Sequence, residues 1–447
     1  MSLQRLLAFV AAGLISCADA KHWAVLVAGS NTFMNYRHQA DVCHAYKTLI
    51  AKGMSPSRII TMAYDDIAHD KRNPFPGKLY NKPDPKGPGV DVYAGCKIDY
   101  KGEDVNVKNF LKVLTGDTSA KGPVLKSGSR DHVFVNFVDH GAPGLVAFPS
   151  TELHKSQLDD AFTTMHKKKM YNKLVFYLEA CESGSMFKGL TTPGIFGVSA
   201  SNPTESSWGT YCPGMSNSDA TADMVNGKHI GSCLGDLFSV NWMEDSDVED
   251  ATKETLDQQF KIVMKKTNKS HVMEWGDKTF VKDTIGEYIG NQFGAPLEAK
   301  SEMGFDVNAV SVDSRRVDMV SASVGCKLAE WPEDCEATQK ALRQEQHLAV
   351  LAHRRLVNKA LAHTELSENF MWTLKEEPEN PTCELAAHAA LRESCASSFN
   401  ANSGFALGMH QVIVNLCSYS AKGNLNLDVP ALAATVCHEE VAETLVV

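Results

Sequence analysis

Five short apolar runs constrain this chain more than any other feature: Trp23 to Ala28, Ile59 to Met62, Val133 to Val138, Leu174 to Leu178 and Ile195 to Ser199. Each gives way to a polar turn, and stretches of helical period lie between them, the pattern of a sheet with crossover helices. Several are apolar at consecutive positions, as strands covered on both faces must be. The expected fold class is α/β, with a mostly parallel sheet flanked by helices. The first helix is expected from about His38, with Val42, Tyr46, Leu49 and Ile50 on one face and Gly53 placed to end it. Asn73 to Gly95 is rich in Pro, Gly, Asp and Lys and reads as a long surface loop.

The pattern changes after about Phe293. Gly294 to Cys335 lacks sustained periodicity and reads as a connector, whereas Glu336 to Ser367, dense in Ala, Leu, Arg, Glu and Gln, reads as helical. A chain of 447 residues can hold a second, smaller core. The expected division is a leader at 1–20, an α/β domain at 21–293, the connector at 294–335 and a helical domain at 336–447. Acids outnumber bases by 54 to 44, which argues against a nucleic-acid partner. The excess is C-terminal: Ala309 to Val447 holds 18 acids and 11 bases.

Leu6 to Ile15 is a nearly unbroken apolar run after Arg5, and Ala18-Asp19-Ala20 fits a small-x-small cleavage site. A secretory signal cut after Ala20 is therefore expected. The run is about half of the roughly 20 residues a membrane span needs, and no later segment is long and apolar enough. The mature chain is expected to be soluble in an oxidising pathway; of the 12 cysteines Cys17 leaves with the signal, and most of the others can pair. Asn268 heads the only permitted glycosylation sequon and is expected at the surface.

Two of the predicted strands end in reactive residues. One runs into Asp139-His140-Gly141, the other into Glu179, Ala180 and Cys181. Carboxyl ends of parallel strands line one crevice, so the two side chains can emerge on the same rim although 41 residues apart. A thiol attacks a peptide bond only as thiolate; a nearby imidazole stabilises that anion and later protonates the leaving amine. The backbone N–H groups of Gly141 and Cys181 could hold the developing oxyanion. Taken singly, such a cysteine is most often a buried small hydrophobe and such a histidine a satisfied polar residue. It is the pair on consecutive strand ends that points to catalysis.

Several strings carry a resemblance: KHWAVLVAGSN from Lys21, NYRHQAD from Asn35, DHG from Asp139, EACESGS from Glu179 and NWMEDS from Asn241. In these the chain resembles legumain, the asparaginyl endopeptidase family of cysteine peptidases, over nearly the whole mature length. The resemblance implies a caspase-like fold with a C-terminal all-helical prodomain. It implies Cys181 as nucleophile, His140 as general acid/base, Asn35 as the residue that orients the histidine, and no metal or cofactor. Asp139 corresponds to a residue that can cyclise to a succinimide in relatives; a turn-forming aspartate is the alternative. Cystatin-like inhibitors are implied as partners, alongside protein substrates and the chain's own prodomain.

An asparagine side chain presents one acceptor and two donors, so a pocket that selects it must offer both kinds of partner. By resemblance Arg37 donates to the carbonyl, Glu179 and Asp236 accept from the amide, and His38, Ser206 and Ser207 form the walls. Aspartate fits the same pocket when protonated, so cleavage after Asp is expected in acid only. A free thiol near pH 5.5 would be only about one thousandth ionised, so the sequence reading requires a Cys181–His140 ion pair.

The resemblance implies disulfides Cys383–Cys417 and Cys395–Cys437; a zinc site is the competing idea, but no close Cys-x-x-Cys couple is present. Cys212 and Cys233 bracket a loop resembling the plant-type one and can pin the pocket wall. Cys326 and Cys335 can pair with each other, Cys43 reads as a buried free thiol, and Cys96 has no assigned partner. Latency at neutral pH is attributed to ionised carboxylates of the prodomain paired with cations such as Arg37, lost on protonation. Self-cleavage is expected after Asn308, with Asp313, Asp318 and Asp334 as acid-dependent competitors. The expected protein is a zymogen of an asparaginyl cysteine endopeptidase in a lysosomal, vacuolar or secreted acidic lumen. A peptide ligase using the same acyl-enzyme is the alternative; a catalytically silent binder and a membrane transamidase subunit are disfavoured.

Overall fold

The computed structural model describes residues 20–214, 221–290, 310–332, 334–362 and 364–437. Nearly all of the expected leader, with Cys17, lies outside them, as does Asn308. Six strands form the central sheet: β1 (His22–Ala28), β2 (Ile59–Met62), β3 (His132–Val138), β4 (Lys173–Glu179), β5 (Ile195–Ser199) and β6 (Met273–Gly276). Their order is β6-β5-β4-β3-β1-β2. The first five are parallel, and β6 runs antiparallel along the edge of β5. This edge strand has no sequence signal, because Met-Glu-Trp-Gly is half-buried and carries no apolar run.

Consecutive apolar positions split cleanly between the two faces. Trp23, Val25 and Val27 of β1 join Val133, Val135 and Phe137 of β3 in one core, whereas Ala24, Leu26 and Ala28 join Phe134 and Val138 in the other. Helices cover both. Besides α1 (Tyr36–Ala51), these are α2 (Val107–Thr115), α3 (Lys155–Lys167), α4 (Leu237–Val248) and α5 (Leu256–Lys266). Helices α2 and α3 give Phe110, Val113, Leu158 and Phe162 to the first core; α1, α4 and α5 give Val42, Leu49, Trp242 and Val263 to the second. Helix α1 begins at Tyr36, two residues before the sequence estimate, so Arg37 and His38 lie in its first turn.

The C-terminal part has its own apolar cluster, drawn from residues between Ala349 and Val436. It packs within α6 (Cys335–Leu361), α7 (Pro381–Cys395), α8 (Gln411–Ala421) and α9 (Val429–Ala433). Disulfides Cys383–Cys417 and Cys395–Cys437 tie these helices together. Among the described residues no helix is long and apolar enough to cross a membrane.

Two sequence expectations need correction. Cys43 is no free thiol: it is bonded to Cys96. Nor is the Pro/Gly-rich stretch a plain surface loop, since Leu79, Tyr80 and Asn81 are buried and the Tyr80 N–H donates to the Tyr36 hydroxyl at 2.7 Å. Composition reports turns; it does not report which loop side chains turn inward. Cys212 pairs with Cys233 and Cys326 with Cys335. Cys181 is thus the one unpaired cysteine among the described residues.

The Cys43–Cys96 bridge closes a span of 53 residues. Replacing both by serine should lower unfolding free energy by about 2 to 4 kcal/mol in a denaturant titration, through the larger entropy of the open loop. An unchanged midpoint would show that the loop's buried side chains suffice to hold it.

Candidate active site

Parallel pairing sets Val138 of β3 opposite Glu179 of β4. Two residues beyond that pair stand His140 and Cys181, side by side at the carboxyl edge of the sheet. The backbones there touch: a Cβ on Gly141 would fall 2.3 Å from the Cys181 carbonyl oxygen, so only glycine fits. Both reactive side chains are buried, His140 3% and Cys181 1% exposed.

The histidine tautomer follows from its neighbour. The Asn35 Nδ2 group donates to the Asn31 carbonyl at 2.8 Å, which turns Asn35 Oδ1 towards His140 Nε2, also at 2.8 Å. An oxygen there requires Nε2 to carry the proton, so the lone pair of the neutral ring is on Nδ1. Nδ1 has no hydrogen-bond partner. Cys181 Sγ accepts from the Ser207 N–H at 3.3 Å and lies 3.7 Å from the Ser207 hydroxyl.

Beside this pair is a buried polar recess. Arg37 Nε donates to Asp236 Oδ1 at 2.8 Å, and Nη1 to the Met34 carbonyl at 3.3 Å. Glu179 Oε2 accepts from the Ser239 N–H at 2.9 Å and from its hydroxyl at 3.1 Å. His38 lies 3.5 Å from Asp236 Oδ2 and 3.4 Å from Asp139, and its Nδ1 meets the Ser30 hydroxyl at 2.6 Å. Around Arg37 three atoms remain without hydrogen bonds, Arg37 Nη2, Glu179 Oε1 and Asp236 Oδ2, beside the two unbonded oxygens of Asp139. Ser207 is buried with them, and Ser206 next to it is partly exposed. Burial raises the Glu179 and Asp236 carboxyls; for Glu179 the nearby Asp236 adds to this, and in both Arg37 opposes it. Burial also works against the Arg37 charge, but Asp236 and then Asp318 hold it protonated. Asp139, buried with neither oxygen bonded, is held far above the carboxylate range. His38, Asp139 and His140 are close enough to share a metal ion, although His38 Nδ1 is already engaged by Ser30.

Residues from the later part of the chain close the cleft. Val312–Asp313 pairs antiparallel with Trp208–Thr210, and the Ser314 N–H continues to the Ser207 carbonyl at 3.1 Å. The next side chain, Arg315, donates to the Gly404 carbonyl at 2.8 Å and the Gly141 carbonyl at 3.2 Å, and is paired with Glu182. Gly404 lies so near that a Cβ on it would be 2.9 Å from both Cε1 and Nδ1 of His140. A cavity of about 280 Å³ remains in the seam, with Asn35, Asp139 and His140 on one side and Asp318, Glu345 and Asn402 on the other. In this closed arrangement burial pushes the Cys181 thiol up to about 11, Arg315 opposing, and pushes His140 well down, Arg37 adding to it. Covered in this way, thiol and imidazole are both shifted towards their neutral forms, away from the ion pair that the sequence reading requires.

The structure thus gathers Asn35, Arg37, His38, Asp139, His140, Glu179, Cys181, Ser207 and Asp236 about one recess. Asn268 is exposed, two residues past the end of α5. Sequence reasoning missed Ser30, which the strand-end rule applied to β1 could have found. It also missed Arg315 and Gly404, for which no local pattern exists.

The chain matches the peptidase C13 family over residues 22–291. It is 39% identical over 406 residues to the legumain of Homo sapiens, covering 89% of each chain. The chain belongs to the peptidase C13 family. Identity is 50% over 282 residues to a hemoglobinase of Schistosoma japonicum, a match that spans 63% of that protein's length. It is 47% over 285 residues to the vacuolar-processing enzyme delta-isozyme of Arabidopsis thaliana, covering 61% of this chain and 59% of that one. As a C13 member the chain carries its matched region on the sheet that holds Cys181 and His140, and its C-terminal helices lie beyond it.

The Gly404 contact can be tested without assuming any substrate. Gly404→Leu overlaps the His140 ring, so the segment cannot seat. Alkylation of Cys181 by iodoacetamide at pH 7 should quicken at least about tenfold, because an opened cleft restores access and lowers the thiol pKa. An unchanged rate would mean that the segment does not control access.

Proposed function

We propose that the chain is the latent form of a cysteine endopeptidase that cleaves after asparagine, and after aspartate in acid. The observation that carries this reading is the unspent set in the recess: one donor, Arg37 Nη2, and two acceptors, Glu179 Oε1 and Asp236 Oδ2. A carboxamide offers the complement, one acceptor oxygen and two N–H donors. An ionised carboxylate would bring a third anion to Glu179 and Asp236, whereas a protonated one offers a donor and an acceptor.

In the open enzyme the Cys181 thiolate attacks the carbonyl that follows the bound side chain, and the N–H groups of Gly141 and Cys181 hold the oxyanion. His140, protonated at Nδ1 and held by Asn35 at Nε2, gives its proton to the leaving amine. The C–N bond breaks, a thioester remains, and water activated by His140 hydrolyses it. No metal or cofactor enters these steps.

Latency comes from Arg315 and Gly404, which cover the pair so that burial favours its neutral form, with the connector held along the substrate edge. Acid release needs groups that bind protons better once the seam opens. The seam contains them, His154 from the core with His388 on α7 and His410 just before α8, and His353 on α6 lies behind against Phe399, all four buried. His388 and His410 meet Nδ1 to Nδ1 at 3.1 Å, and His388 Nε2 lies 3.6 Å from Glu152, which also pairs with Arg392. Burial holds all four below the ordinary histidine value, His154 and His353 to about 4, with Glu152 opposing it at His388 and the Ala349 carbonyl at His353. Neutral in the closed state and basic in the open one, they favour closure above about pH 6.5 and withdraw that support as pH falls towards 4. Buried Glu182, Asp318 and Glu384 respond in the opposite sense. Burial raises them to about 7, 6 and 7, so acid stabilises them closed. The carboxylate trigger inferred from sequence thus has the wrong sign for these groups, and Arg37 pairs with Asp236 of its own domain. The Lys188–Glu377 pair across the seam is exposed and contributes little.

Five disulfides, the exposed Asn268 sequon and the compartment named for the vacuolar-processing relative support a secretory route to an acidic lumen. Self-cleavage falls within the connector, at Asn308 or one of the acid-dependent aspartates.

Peptides scanned at the residue before the bond, assayed from pH 4 to 7 after acid treatment, test the activity. Asparagine should dominate, Cys181→Ala should abolish cleavage and maturation, and Arg37→Ala should lower asparagine cleavage about 100-fold or more through loss of a buried charged hydrogen bond. An unchanged preference in Arg37→Ala would remove it from the pocket. The His388→Asn, His410→Asn double variant should move the activation midpoint down by about one pH unit. A midpoint that stays in place would exclude the histidine seam as the trigger.

A further inference from the structure

One buried acid next to the recess is not accounted for by the reaction. Asp41 lies on α1 one turn after Arg37 and is fully buried. Its two oxygens accept the backbone N–H of Asp236 at 3.1 and 3.4 Å. Asn81 Nδ2 donates to Asp41 Oδ1 at 2.7 Å and to the Leu234 carbonyl at 2.8 Å. Asn81 is itself braced: its Oδ1 meets His44 Nδ1 at 2.7 Å, and His44 Nε2 meets Asp247 at 2.7 Å. The chain from the Pro/Gly-rich loop through Asp41 therefore ends on the backbone of a pocket wall.

Burying a carboxyl is costly unless it is used. Here three of them, Asp41, Asp236 and Glu179, surround the single guanidinium of Arg37, with His38 on the far side of Asp236 and Asp318 over Arg37 in the closed state. If all three were ionised they would outweigh Arg37 by two charges in a dry site, so the group must share protons. Burial, with Asp236 and Glu179 beside it, holds Asp41 well above the carboxylate range.

We propose that Asp41, held by Asn81, positions Asp236 and sets the charge of the pocket, and so governs how a neutral carboxamide is told from an acidic side chain. The inference rests on the reading of Arg37, Glu179 and Asp236 as that pocket. Asp41 touches no substrate; it is a positioning residue that acts through Asp236.

The test uses acid-activated full-length protein and two matched peptides, with asparagine or aspartate before the cleaved bond, from pH 4 to 7. Asp41→Asn keeps the shape and holds position 41 neutral at every pH, whereas Asp41 shares protons with Asp236 and Glu179. Activity on the aspartate peptide should then extend to higher pH by about one unit, and the asparagine-to-aspartate ratio at pH 6 should fall about tenfold. Asn81→Ala loosens the clamp and removes a hydrogen bond that favours the Asp41 anion. It should raise KM for the asparagine peptide about threefold to tenfold with kcat within about twofold, and should move the aspartate limb upward by less than Asp41→Asn does. Equal losses on both peptides with unmoved pH limbs in Asp41→Asn would reduce Asp41 to a structural role and overturn the proposal. If Asp41→Asn does not fold, an unchanged KM in Asn81→Ala overturns it instead. Wild-type enzyme with no preference for asparagine would sink the pocket reading itself; intact wild-type preference with unmoved variants sinks only this inference.

Discussion

The register of one strand pair governs the site. Val138 opposite Glu179 puts His140 and Cys181 at equal distance past the sheet edge, and the glycine after the histidine lets the two backbones touch. A slip by one residue would turn every side chain of β4 to the other face, exchanging Leu174 and Phe176 for Val175 and Tyr177 in the cores. The apolar faces of β3 and β4 therefore fix the geometry of the reactive pair before any interaction between them is considered. Since those faces are filled by Phe134, Phe137, Phe176 and Tyr177, the placement is backed by aromatic packing on both sides.

On that edge, electrostatics divides into two neighbouring problems. The recess around Arg37 has to keep a cation buried, and it does so with acids close enough to hold the proton on the guanidinium while their own protons are held by burial. The reactive pair has the reverse problem, since a thiolate and an imidazolium both lose solvation when covered. In the closed cleft burial shifts both towards neutrality, and Arg315 directs its donors to Glu182, Gly141 and Gly404.

How much of this was legible followed from where each signal resides. The five parallel strands were readable because double-sided burial leaves continuous apolar runs, and Cys181 and His140 were readable because strand ends in an open sheet converge. The roles of Asn35, Arg37 and Asp236 came only through resemblance, since one helix turn and a short strand far along the chain carry no pattern of their own. Cys43–Cys96, Asn81 and Arg315 were beyond reach for a common reason. Each depends on an irregular segment folding back over a distant element, and irregular segments have no period from which a partner can be read.

The two kinds of titrating group in the seam imply an order of events, on the reading of the C-terminal region as inhibitor. Histidines sit between the helical region and the core, at His154, His388 and His410, and lose their hold as pH falls. Raised carboxyls sit with the connector in the cleft, at Glu182 and Asp318, and gain theirs; Glu384 on α7 gains too, but there it stands against the histidines. Opposite signs in different places mean that the layers need not leave together. Acid loosens the helical cover while the connector strand along Trp208–Thr210 is still favoured, so the connector remains on the substrate edge when the cover lifts. That is the arrangement in which a segment beside the nucleophile is best placed to be cut by it.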